Sequence, residues 1–349
     1  MNFVVLFCSC QAMISYRKRN VFTEVIAAGV FIFLFQIISQ KVFSQPDLNV
    51  LSYLSTNYGK APDPKGNFST LVIPIKRVQN LLLIEARIND MEGNFILDTG
   101  APHLVLNKTY FRQGKLSDGT SAAGITGGGN QVYHMQVDSL VIDELYYTSL
   151  DADVVNLGHL EDAKGVKILG LLGANLFSQM EMEIDLQHSI LRLTRMDGSG
   201  QLLSVSSGDP PPPDMLVPIE LENNIIFINS TVAGKKLRFC FDSGAETNVL
   251  SNSIGNKVLS QFSLISRAEL GGTSSQRLDV LSGQLGEMTI GNHSFKKMPV
   301  ILADLSGLRE VYNTDIDGIL GYDFLSSGRV IINFRKKELT MYFYKEEGQ

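Results

Sequence analysis

The chain has 349 residues, 44% of them hydrophobic and 19% charged, with a formal net charge of −6. This balance excludes wholesale disorder and fibrous repeats, and the acidic excess argues against a surface built to neutralise nucleic-acid phosphates. Three cysteines (Cys8, Cys10, Cys240) cannot make a disulfide framework, and five histidines without metal-ligand spacing give no reason to expect a metal or cofactor.

In chain order, Arg17, Lys18 and Arg19 precede an apolar run from Val25 to Ile38. A short basic stretch followed by a short apolar one reads as a signal peptide over residues 1–44, with cleavage after Ser44. The run is shorter than the eighteen or so residues of a committed spanning helix, and a retained membrane anchor is the alternative. Residues 1–12 fit poorly ahead of a basic region, so Met13 is a candidate start that would remove Cys8 and Cys10. Without residues 1–44 the charged residues fall from 30 basic and 36 acidic to 26 and 35, a charge of −9, with Cys240 as the one cysteine. Cys240 lies in the run Leu237–Phe241 and reads as a small buried hydrophobe. The expected location is outside the cytoplasm: periplasm, cell envelope or medium.

Residues 45–69, polar with scattered Pro and Gly, are expected to be a tether. Beyond them the sequence repeats. Leu71–Ile75 is echoed by Met215–Ile219, and Asp98-Thr99-Gly100-Ala101 by Asp242-Ser243-Gly244-Ala245, both at an offset of 144. Gly170-Leu171-Leu172-Gly173 is echoed by Gly318-Ile319-Leu320-Gly321 at 148. Two long copies make a duplicated lobe, residues 70–197 and 215–346, not a solenoid. The connector, residues 198–214, contains Pro210–Pro213 and reads as a stiff spacer, with a proline-motif ligand as the sharper alternative.

Within each copy, short apolar runs are bounded by turn residues at Asn89-Asp90, Glu92-Gly93, Ala233-Gly234 and Gly291-Asn292, which predicts mostly antiparallel β-structure. Each copy closes with a strand-like stretch, Met182–Leu193 and Val330–Tyr344. Helical periodicity is brief, near Thr109–Phe111 and Ser251–Gln261. Gly127-Gly128-Gly129 and Gly271-Gly272 each begin 29 residues after an aspartate of the repeated tetrapeptide.

Each aspartate emerges from an apolar run (Phe95-Ile96-Leu97, Phe239-Cys240-Phe241) into a Gly turn. Gly100 and Gly244 permit a tight turn with N–H groups aimed at a carboxylate, and Thr99 and Ser243 supply hydroxyls that can lock one loop to the other. A two-fold duplication would set Asp98 and Asp242 face to face, where like charges favour a single shared proton. One carboxyl then activates a water while the other protonates a carbonyl. His103, close behind Asp98, reads as a rim residue.

These residues resemble those of aspartic proteases of the pepsin/retropepsin type, over nearly all of residues 70–346. Asp-Thr-Gly-Ala and Asp-Ser-Gly-Ala are similar to the retropepsin form, and Leu171-Leu172-Gly173 and Ile319-Leu320-Gly321 match the hydrophobic-hydrophobic-Gly element behind the active-site loop. The resemblance implies an all-β, bilobal acid-protease-like β-barrel fold with a pseudo-two-fold axis. It also implies Asp98 and Asp242 as the catalytic pair, supported by Thr99, Gly100, Ala101, Ser243, Gly244 and Ala245. Candidate flap residues are Ile125, Thr126 and Gly127, with Gly271 and Gly272 as their counterparts. It further implies a peptide or protein substrate, no cofactor, no metal, no nucleic acid, and a monomer whose dyad is intramolecular, as in exported bacterial, Bacteroidetes-type relatives. Pro102-His103 and Glu246-Thr247 differ between the copies, which predicts an asymmetric cleft. Ala101 and Ala245 lack a hydroxyl that could stabilise the anion, which predicts an optimum less acid than pepsin's. A peptide-binding or scaffold protein on the same fold is the alternative function.

Overall fold

The computed structural model describes residues 52–53, 61–123, 130–204, 211–270, 278–312 and 314–345. The expected signal or anchor and both sets of flap residues (Ile125, Thr126, Gly127; Gly271, Gly272) lie outside them. No helix among the described residues is long and apolar enough to cross a membrane.

The first half contributes β1 (Ser52–Tyr53), β2 (Thr70–Pro74), β3 (Lys76–Val78), β4 (Leu81–Ile88), β5 (Met91–Asp98), β6 (Val105–Asn107), β7 (Lys115–Ala123), β8 (Asn130–Ile142) and β9 (Leu145–Val155). Helix α1 (Gly158–Lys164), β10 (Ile168–Gly173), a 3-10 turn at Ala174–Phe177, β11 (Met180–Asp185) and β12 (Ile190–Arg195) complete it. The second half repeats the order: β13 (Met215–Pro218), β14 (Glu220–Glu222), β15 (Ile225–Val232), β16 (Lys235–Phe241), β17 (Val249–Ser251), α2 (Asn256–Leu259), β18 (Phe262–Leu270), β19 (Leu278–Ile290) and β20 (His293–Ala303). It ends with α3 (Ser306–Tyr312), β21 (Gly318–Leu320), α4 (Tyr322–Leu325), β22 (Gly328–Asn333) and β23 (Glu338–Phe343). The architecture is all-β and two-lobed.

One sheet runs β1-β7-β8-β9-β6-β10-β5-β4-β3 and curls back through a β8–β4 pairing. Its counterpart runs β14-β15-β16-β21-β17-β20-β19-β18, with a β15–β19 pairing. A third sheet, β13-β23-β22-β11-β12-β2, draws three strands from each half and joins them where Ile184 meets Val330 and Glu181 meets Asn333. The halves are thus hydrogen-bonded into one body, and neither has a complete sheet system alone.

At the centre of each lobe the strand that carries the aspartate is parallel to the strand ending in hydrophobic-hydrophobic-Gly: β5 with β10 and β16 with β21. β10 (ILGLLG) is buried at every position, as expected for a parallel strand covered on both faces. Cys240 is buried among apolar side chains and forms no disulfide among the described residues.

The structure differs from the sequence reading in several places. Glu92 and Gly93 sit inside β5, not in a turn; a β-carbon on Gly93 would meet the Leu169 side chain at 2.9 Å, so the glycine serves packing. The closing stretches are hairpins, β11–β12 and β22–β23, not single strands. Thr109–Phe111 is only a hydrogen-bonded turn, because its amides bond back to the Asn107 carbonyl and go no further. Helices α1, α3 and α4 are too short to show a periodic apolar stripe. Residues 61–65, read as the end of the tether, lie on the first lobe, with Lys65 and Tyr146 exchanging backbone hydrogen bonds. Strand β1 pairs antiparallel with β7, Tyr53 opposite Ala122 and Ser52 opposite Ala123, and also runs beside α3 of the other half.

Candidate active site

Asp98 is the last residue of β5, opposite Gly173; Asp242 follows β16, its N–H donating to the Leu320 carbonyl at 2.9 Å. Gly173, which ends β10, and Gly321, which follows β21, let each loop pass close behind. A β-carbon on Gly173 would lie 2.2 Å from the His103 carbonyl oxygen, and one on Gly321 would lie 2.5 Å from that of Thr247.

The two loops are locked to each other by four reciprocal hydrogen bonds. Thr99 Oγ1 donates to the Phe241 carbonyl (3.0 Å) and accepts from the Ser243 amide (2.9 Å). Ser243 Oγ donates to the Leu97 carbonyl (2.8 Å) and accepts from the Thr99 amide (3.0 Å). Each hydroxyl is thereby satisfied as donor and acceptor in a buried junction, which makes the geometry specific.

Across that junction the carboxyls face the opposite glycine. An ideal β-carbon on Gly100 would fall 2.5 Å from Asp242 Cγ, and one on Gly244 would fall 2.6 Å from Asp98 Cγ. Asp98 Oδ1 accepts from the Ala101 amide (2.9 Å), and Asp242 Oδ1 accepts from the Gly244 amide (2.8 Å). Both Oδ2 atoms are buried with no hydrogen-bond partner among the described residues. Burial, then the charge of Asp242, pushes Asp98 well above the usual carboxylate range. Burial raises Asp242 to about 6, against the backbone N–H donors of Gly244, Gly100 and Ala245. The pair therefore favours one shared proton, and the ionisations belong to the pair.

The aspartyl protease family model matches the sequence in two segments, residues 84–176 and 228–324, together more than half of the chain. The chain belongs to the aspartyl protease family. Each matched segment holds one of the two aspartates with its hydrophobic-hydrophobic-Gly element, so this protease carries the family pattern twice. Among solved structures, an aspartic proteinase from Irpex lacteus is similar at 13% identity and a TM-score of 0.47, covering 79% of this chain and 98% of that one. No curated protein sequence matches the chain.

The candidate residues of the two loops (Asp98 to Ala101 and Asp242 to Ala245) meet at one point of the protease. Four supports were not read from sequence. Asn80 donates to the Glu246 carbonyl (2.9 Å), and Lys164 Nζ lies 2.6 Å from Glu246 Oε1, both ties crossing the lobes. Asp323 accepts from the Thr247 hydroxyl (2.5 Å) and the Asn248 amide (3.0 Å), fixing the second loop. Asp153, 0% exposed, accepts from His103 Nε2 at 2.7 Å. His103 is buried, not on a rim, because the following strand turns its ring inward onto Asp153. The one signal in the sequence was the difference between Pro102-His103 and Glu246-Thr247, which marked these loops as differently supported.

Proposed function

We propose that the chain is an aspartic endopeptidase in which Asp98 and Asp242 together activate one water for attack on a peptide carbonyl. The observation that supports it is the pair of buried carboxyls, each with one oxygen fixed by a backbone N–H and the other with no hydrogen-bond partner among the described residues. The ionised member takes a proton from the water as it attacks. The protonated member donates to the carbonyl oxygen, where negative charge develops. Thr99, Gly100, Ala101, Ser243, Gly244 and Ala245 hold the two carboxyls in place.

The substrate class is an extended peptide. β7, which precedes the candidate flap residues in sequence, pairs with β8 on one side and accepts a short strand on the other: the chain's own Ser52–Tyr53 is added there, beside α3 of the second half. Strand addition supplies affinity through the main chain and leaves sequence preference to side-chain pockets. The dyad is intramolecular, so a monomer suffices. Export, with residues 1–44 as signal or anchor, is part of the proposal and rests on the sequence alone.

The test is hydrolysis of a broad peptide library at weakly acid pH by the chain and by Asp98→Asn and Asp242→Asn. Each substitution should lower kcat by about 10²–10⁴-fold. Equal cleavage by all three would eliminate the dyad. Peptide binding without cleavage by the unmodified chain would establish a binding protein instead.

A further inference from the structure

We infer that His134, Asp153 and His103 form a hydrogen-bonded coupling between the β7–β8 hairpin and the catalytic loop of the first lobe, with all three as positioning residues for the proposed peptidase reaction. Asp153 stands on β9 with its side chain wholly buried, and both its oxygens are engaged by imidazoles. His103 Nε2 lies 2.7 Å from Oδ2, and His134 Nδ1 lies 2.6 Å from Oδ1. A carboxylate oxygen only accepts, so each ring nitrogen carries the proton in its contact. Two charge-assisted bonds on a group excluded from water are the strong kind, and removing one donor leaves an acceptor buried without it.

The three residues come from elements with different duties. His103 is five positions past Asp98, in the loop that supplies the dyad; the amides of Ala174 and Asn175 hold the same loop through the carbonyls of Ala101 and Pro102. His134 belongs to β8, the second strand of the hairpin, and is in register with Asp153 on β9 and Lys115 on β7. Its side chain is 39% exposed, so one end of the coupling meets solvent while the other is buried. A displacement of the hairpin that draws His134 away breaks one of the two imidazole bonds on Asp153, and the other of those two holds His103 in the catalytic loop.

Among the described residues, the second lobe has no counterpart of this connection. The register that sets Asp153 beside Val105 sets Ile301 beside Val249, and the register that pairs His134 with Asp153 pairs Ser282 with Ile301. Thr247 stands where His103 does and donates to Asp323 at the start of α4. Among the described residues, the first catalytic loop is tied to its hairpin in this way and the second is not.

The consequence for catalysis rests on the peptidase reading, but the coupling itself is measured without activity. Backbone hydrogen exchange, read by mass spectrometry on peptides covering residues 98–104 and 242–248, is compared between the unmodified chain, His134→Phe and His134→Gln. Phe keeps a planar ring and removes the donor, whereas Gln keeps an N–H donor of similar reach. His134→Phe should speed exchange of residues 98–104 by about tenfold, with 242–248 unchanged and His134→Gln close to the unmodified chain. Unaltered exchange of 98–104 in His134→Phe, or equal acceleration by both substitutions, overturns the coupling. In the cleavage assay His134→Phe should raise KM several-fold more than it lowers kcat. A chain that cleaves nothing sinks the peptidase reading and leaves the exchange comparison to decide the coupling.

Discussion

Lys164 and Glu246 meet across the two lobes at 2.6 Å with side chains 1% and 2% exposed, and Glu246 is the residue after the second Asp-Ser-Gly-Ala loop. Desolvating two charges roughly cancels their attraction, so the pair adds little net stability, but burying either charge without its counter-charge is expensive. Lys164→Met should lower the free energy of unfolding by about 3–5 kcal/mol, and Lys164→Met with Glu246→Leu should recover most of that loss. Urea unfolding midpoints of the two variants decide it; a double variant as unstable as the single one would show that the pair itself stabilises the fold.

That contact also shows where sequence reading stops. The aspartates were legible because a duplication displays its own register: Asp98 and Asp242 are marked by an offset, and the strands before them by continuous apolar runs. The hydroxyl lock was legible for the same reason, since Thr99 and Ser243 occupy one repeat position. Lys164, Asp153 and Asp323 were not legible, because each is a single charged residue whose partner is fixed only by tertiary structure. Lys164 sits on a helix of seven residues, too short for periodicity, and faces the other lobe. The hairpins β11–β12 and β22–β23 were merged into single stretches because their turn residues, Gln187-His188 and Lys336-Lys337, lack the Gly or Asn that marks most tight turns.

Gly100 and Gly244 answer to a steric demand sharper than turn geometry. An added methyl would fall 2.5 Å from the carboxyl carbon of Asp242 in one case and 2.6 Å from that of Asp98 in the other. Gly100→Ala and Gly244→Ala should each force the loops apart, at a cost of about 1–3 kcal/mol. Cleavage should fall by at least about 100-fold, because a displacement near 1 Å at a reacting centre has that effect. Full activity in either alanine variant would mean that the two loops are not held at this separation.

The raised ionisations of Asp98 and Asp242 make stability depend on pH in a defined direction. In the unfolded chain both titrate near 3.8; in the fold burial holds Asp98 well above that and Asp242 at about 6. Between those limits the folded protein binds more protons than the unfolded one, so stability falls as pH rises, by about 1.4 kcal/mol per pH unit for each group so affected. The contribution is whole below about pH 4 and is lost as pH climbs through the folded values. Asp98→Asn with Asp242→Asn removes the effect, so its Tm should exceed that of the unmodified chain by a margin that widens from pH 4 to pH 7. A margin constant with pH would mean that the carboxyls are not shielded from water. The same shift moves the one-proton state, and with it the activity optimum, to less acid pH than an ordinary carboxyl pair would give.

Ser52–Tyr53 occupies the edge of β7 at Ala122–Ala123, the edge on which the proposed peptide substrate is added. A segment tied to the same chain competes at an effective concentration in the millimolar range, well above that of most free peptides. A chain beginning at residue 61 should therefore show a KM for peptide substrates lower by about threefold to tenfold, with kcat little changed, because the added strand blocks access and leaves the dyad untouched. A synthetic peptide of residues 45–60 should restore the higher apparent KM, competitively and in proportion to its concentration. Steady-state kinetics on the shortened chain with and without the peptide measure both effects. An unchanged KM together with no inhibition would show that β1 and the substrate do not share the β7 edge, and would move the substrate path elsewhere in the cleft.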